Sequence, residues 1–201
     1  MTAYPDEIVS NISNAKQAAL LKAAYQLFRK HGFQRVSIEE ICRTAGVSKV
    51  TFYKYYAGKD ELIIAMVKSI IERHISISDT IMQSGKSIKE KLEQIISSKR
   101  NLISNLGEEM VHSILLTPIT ANYLSEIRGA ALQSVRSFFT REQQQGNINP
   151  KVNVDFILLF MEEINKMVDN EAMLNKFGSV EQMVAQINEI LMFGIVARDK
   201  Q

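Results

Sequence analysis

Between Arg35 and Leu62, two serines and a glycine mark where helices begin and end, and this leaves few folds open. Ser37 stands three residues before Glu40, the spacing of a capping box, with Val36 and Ile41 placed as its hydrophobic staple. Gly46 falls where that helix must stop, because a left-handed residue strains anything that carries a Cβ. Ser48 opens the next helix, with Val47 and Phe52 repeating the staple, and Lys59-Asp60-Glu61-Leu62 opens a third. A helix, a tight glycine turn and a second helix is the geometry that seats the second helix in a DNA major groove.

Charge falls on the same stretch. Residues 16–59 carry nine cations (Lys16, Lys22, Arg29, Lys30, Arg35, Arg43, Lys49, Lys54, Lys59) against Glu39 and Glu40, a net +7. The whole chain is only +2, so the remainder is −5. A basic block on a near-neutral body is an electrostatic footprint for nucleic acid.

The other residues extend the helical reading. Three prolines and nine glycines interrupt 201 residues, and β-branched alternation between turns is missing, so the expected fold class is all-α. Residues 1–13 read as a frayed tail. A helix starts near Asn14 and ends in Lys30-His31-Gly32, a cationic last turn with a glycine stop. Its residues Leu20, Ala23, Ala24, Leu27 and Phe28 form one apolar stripe. Helices are expected over 37–45, 49–55 and 59–82, then over 88–105, with Ser87 and Glu90 as a capping box, and over 108–116. A further helix, opened by Thr117-Pro118, runs to about 144. Two more follow, over 152–170 and 179–197.

The features quoted above resemble the DNA-binding domain of tetracycline-repressor-type (TetR family) regulators. Gly32-Phe33, Ser37, Ile41, Ala45-Gly46-Val47-Ser48, Phe52-Tyr53, Tyr56 and Lys59-Asp60-Glu61-Leu62 carry the likeness, which covers residues 14–64. Departures are Val50, where the family often has glycine, Tyr55, often histidine, and Tyr56, often phenylalanine. Two of the three lie on the reading helix, so they bear on which DNA sequence is read. The resemblance implies a three-helix DNA-binding domain over 1–58. A long helix would join it to a ligand-binding and dimerisation domain over 59–201.

A helical wheel over 49–56 separates the faces. Phe52 and Tyr56 take the core side. Val50, Thr51, Lys54 and Tyr55 take the groove side, where Thr51 and Lys54 suit base edges or phosphates and Val50 a thymine methyl. Lys49 and Tyr53 lie at the rims, suited to phosphates. Ser37, Ser48, Arg43 and Lys59 complete the expected DNA-binding set. Lys59 breaks the dipole rule at a helix start, which a docked phosphate would explain.

The last two expected helices are apolar on more than one face. This pattern points to a homodimer interface using Ile157, Met161, Ile164, Val184, Ile187 and Leu191. The resemblance further implies an inducer pocket in the second domain, with Met82, Met110, Phe139 and Phe160 as apolar walls and His112 and Tyr123 as polar groups. Expected partners are double-stranded operator DNA, a second copy and a small apolar ligand. The alternative is a second domain that binds a protein partner or only dimerises.

No cofactor or metal is expected: His31, His74 and His112 lie far apart, and Cys42 stands alone as a small core residue. No nucleophile or phosphate-loop motif marks an enzyme. No secretory leader and no membrane-spanning run are expected, which is consistent with the cytoplasm of a prokaryote.

Overall fold

The computed structural model describes residues 4–168 and the isolated positions 176, 182, 183 and 186. Among the described residues all regular elements are α-helices: α1 (Tyr4–Ile8), α2 (Ala15–His31), α3 (Ile38–Ala45), α4 (Lys49–Tyr55), α5 (Lys59–Gln83), α6 (Ile88–Leu106), α7 (Glu108–Leu116), α8 (Pro118–Gln144) and α9 (Val154–Val168). The expected helix over 179–197 lies outside the described residues. So do Val184, Ile187, Leu191 and the side chain of Ile164.

The capping chemistry read from sequence sets the helix ends. Asn14 accepts from the amides of Lys16 and Gln17 at 3.0 and 3.2 Å and opens α2. Ser37 accepts from Glu40 N–H at 3.2 Å and Ser48 from Thr51 N–H at 3.1 Å, opening α3 and α4. Gly46 closes α3 at φ 65°, ψ 32°, and the Val47 amide reaches back to the Cys42 carbonyl at 2.9 Å. Ser87 and Glu90 form the full reciprocal box at the start of α6.

The chain packs as two compact units. The first holds Met1–Arg73 and Asn105–Tyr123, the second His74–Ser104 and Leu124–Gln201. In the first unit Leu20, Phe28, Ile41, Phe52, Leu62 and Met66 are fully buried. Phe28 and Phe33 meet edge to face at 5.0 Å.

The N-terminal segment corrects the expectation of a frayed tail. Ile8 and Val9 are buried. Ser69 donates to the Ile8 carbonyl at 2.5 Å, and Arg73 pairs with Glu7 at 3.0 Å. Both ties reach residues more than sixty positions away, so local patterning could not announce them.

The second unit has its own packed core. Met82, Ile88, Phe138, Phe139, Ile148 and Ile157 are buried together, with Leu92, Ile95, Val135 and Met161 packed against them. Beside this core Lys91 and Glu142 form a buried ion pair at 2.7 Å.

Two expected interface residues therefore face their own core: Ile157 is 3% exposed and Met161 packs on the same cluster. The outward apolar stripe of α9 is instead Phe156, Leu159 and Phe160. The cause is a shift of register. All of these residues are apolar, so composition cannot tell the inner face from the outer.

Candidate nucleic-acid interface

Helix α4 stands on a buried base. Phe52 has no exposed surface, Tyr56 is buried beside it, and their rings lie 5.8 Å apart. The opposite face is open: Val50 is 72% and Tyr53 55% exposed, and Lys49 and Lys54 are exposed. Large apolar side chains left this open on a short, rigid helix mark a contact surface. Thr51 and Tyr55 are half-buried, and Thr51 Oγ1 lies 3.0 Å from Ser48 Oγ. Arg43 is exposed at the end of α3, close in sequence to the turn.

The turn between α3 and α4 is braced by charge. Lys49 pairs with Glu39 across the two helices. The hydrogen bond from Lys49 holds the Glu39 carboxyl below its ordinary range, and the same bond raises the Lys49 ammonium. Both side chains are solvated, so the pair orients Lys49 more than it stabilises the fold. A phosphate contact by Lys49 would exchange this partner.

Lys59 has a role that sequence reasoning did not assign. Its ammonium donates to the carbonyls of Phe33 and Val36 at 3.0 and 3.1 Å, tying the loop before α3 to the start of α5. These bonds account for a cation at a helix N-terminus. One N–H of the ammonium is left over, since the group has three. Lys59→Ala leaves two partly buried carbonyls without this donor. It is expected to lower stability by about 1–3 kcal/mol, read as a reduced urea midpoint.

A second set of contacts steadies the domain from behind. Tyr25 Oη donates to the Asn105 carbonyl at 2.5 Å and Arg29 Nε to the same oxygen at 2.7 Å. The Phe33 amide donates to Ser113 Oγ at 3.1 Å. Gly107, at φ 74°, lets α7 approach α2: a Cβ there would stand 3.3 Å from Arg29 Cγ. These partners are 76–80 residues apart in the chain. No motif signals them.

The residues expected to line a pocket are distributed over both units. Met82 and Phe139 meet in the second unit's core cluster. Phe160 is exposed on α9. In the first unit Met110 is fully buried, His112 is exposed and Tyr123 is half-buried. Among the described residues no helix is long and apolar enough to cross a membrane.

Residues 20–66 match the family model for bacterial regulatory proteins of the tetR family. Over 191 residues the sequence is 23% identical to the uncharacterized HTH-type transcriptional regulator YvaF of Bacillus subtilis (strain 168), covering 90% of this chain and 96% of that protein. It is 24% identical over 136 residues to the HTH-type transcriptional regulator UidR of Escherichia coli (strain K12), covering 67% and 69%. The fold is that of the transcriptional regulator FadR from Bacillus subtilis, solved in complex with stearoyl-CoA. That superposition has a TM-score of 0.66 at 20% identity and covers 88% of this chain and 97% of that one. The family model spans the end-capped helices that carry the open face of α4, so residues 20–66 are a DNA-binding segment of the tetR-family type, and the chain as a whole is similar to transcriptional regulators.

Proposed function

We propose that this regulator is a repressor that binds a palindromic operator in double-stranded DNA as a homodimer and is released by a small ligand. In this reading residues 1–58 read the DNA and residues 59–201 dimerise and take up the ligand. The observation that carries it is the open face of α4, where Val50, Tyr53, Lys54 and Lys49 project from a helix anchored by Phe52. A helix of seven residues held by a buried aromatic at its back can enter a groove without losing its own packing. The surrounding +7 block supplies attraction to phosphate, so affinity should fall steeply with salt.

Homodimerisation is supported by the outward stripe of Phe156, Leu159 and Phe160 on α9, whose i, i+3, i+4 spacing makes one apolar face. Release by ligand is supported by the relative FadR, whose solved complex holds stearoyl-CoA. A ligand in the second unit can weaken DNA binding only as far as it prefers the DNA-incompatible state, and by reciprocity operator DNA must weaken the ligand equally.

Selection from randomised duplexes tests the DNA half. The expected product is a palindrome with half-site centres about 34–36 Å apart, or a multiple of that spacing. Thr51→Ala and Lys54→Ala should each cost about 1–3 kcal/mol of discrimination at one base pair per half-site. Lys59→Ala, which removes the one ammonium N–H left for phosphate, should also reduce the salt slope by about one unit. Recovery of unrelated sequences with no two-fold symmetry would sink the proposal.

A further inference from the structure

One carboxylate stands among the cations beside the open face of α4. Arg43, Lys49 and Lys54 are the exposed cations of α3 and α4. Among the described residues only Lys49 of these three is paired with an acid, the Glu39 carboxylate ten positions earlier on α3. The two side chains are 52% and 58% exposed, so a phosphate can reach the same ammonium. Residues 16–59 hold two acids, Glu39 and Glu40, among nine cations. Glu40 is half-buried, which leaves Glu39 as the exposed acid of the block.

Local structure does not account for Glu39. Ser37 caps α3 through the Glu40 amide at 3.2 Å, and Glu40 already supplies an acid to the first turn for the helix dipole. An ion pair this exposed adds little to stability. The choice lies between two effects on DNA. As a brace, Glu39 would hold Lys49 ready for a phosphate. As a competitor, it would hold the ammonium that the phosphate must take.

The geometry of the pair decides between them. Glu39 grips Lys49 by its ammonium, at the tip of the side chain. Exchanging the carboxylate for a phosphate gives up that grip, and the orientation with it. Sharing the ammonium is costly as well. Two oxygens hydrogen-bonded to one nitrogen lie about 4.5–5 Å apart, where carboxylate and phosphate repel. Either way the Glu39 charge counts against the DNA complex.

We infer that Glu39 is a built-in brake on DNA binding. It competes with backbone phosphate for Lys49 and sets affinity below what the cations of α3 and α4 could give. The inference rests on the reading of α4 as the DNA contact, and it adds to that reading a residue that opposes binding.

The operator affinity of Glu39→Gln, measured at fixed ionic strength, tests it. Glutamine keeps an acceptor oxygen at the same reach and removes only the charge. Binding should tighten about two- to fivefold for each half-site, the worth of an exposed ion pair. Glu40→Gln makes the same change of net charge one residue away and should tighten binding clearly less. In a Lys49→Met background, Glu39→Gln should bring no further gain. Unchanged or weaker binding by Glu39→Gln would overturn the inference, the weaker result marking Glu39 as a brace. So would equal tightening by Glu40→Gln, or a gain that persists beside Lys49→Met, because the brake acts through Lys49. An unaltered chain that binds no duplex overturns both this inference and the DNA reading. An operator bound equally by the unaltered and Glu39→Gln chains overturns the brake alone.

Discussion

Lys91→Met is expected to destabilise the protein by about 3–5 kcal/mol, because it leaves the Glu142 carboxylate buried without its counter-ion. Lys91 and Glu142 lie 2.7 Å apart and are 7% and 1% exposed at the side chain. Glu142 keeps only the Asn147 amide, at 2.8 Å, among its described side-chain partners. Lys91 also stands over the Phe138 ring, 5.9 Å from its centroid, so the substitution removes a cation from the edge of the core as well. Replacing both partners, Lys91→Met with Glu142→Leu, should recover most of the loss, since the cost lies in the stranded charge rather than in the missing attraction. Urea denaturation of both variants decides the matter. A single substitution no worse than the double would show that the carboxylate finds other solvation.

The second large effect concerns self-association. Phe156→Glu with Leu159→Glu places two charges on side chains that are 66% and 53% exposed in one protomer, so the fold should survive. Sedimentation at micromolar concentration should show monomers where the unaltered chain shows dimers. Operator affinity should fall by about 10²–10⁴-fold, because the second half-site is no longer held at high effective concentration. Ile157→Glu, one position away, should instead unfold the second unit, since that side chain is 3% exposed within the core cluster. Monomers from Ile157→Glu that kept a native melting profile, beside unchanged dimers from the double variant, would reverse this assignment of faces.

Local chemistry was legible in the sequence wherever the rule that governs it is local. A cap needs one side chain and an amide two or three residues on, so Asn14, Ser37, Ser48 and Ser87 could be identified without a fold. Gly46 could be identified because its left-handed backbone excludes other residues. The two faces of α4 followed from helical periodicity alone: Phe52 and Tyr56 turn inward, Val50 and Lys54 outward.

What is shared between distant parts of the chain was not legible. Lys59 breaks a helix-dipole rule. Sequence alone suggested a phosphate as the reason, whereas the carbonyls of Phe33 and Val36 are the partners. The docking of Ile8 under Ser69, the grip of Tyr25 and Arg29 on Asn105, and the pairing of Lys91 with Glu142 each join residues more than fifty positions apart. On α9 an apolar run satisfied either orientation, and only packing chose Ile157 for the core and Phe156 for the outside. The all-α class, the helix ends and the buried and open faces of α4 follow from the sequence, because short-range hydrogen bonding and helical period decide them. The tertiary structure alone decided which charges are satisfied internally and which apolar face stays open, because those depend on what the fold brings opposite each side chain.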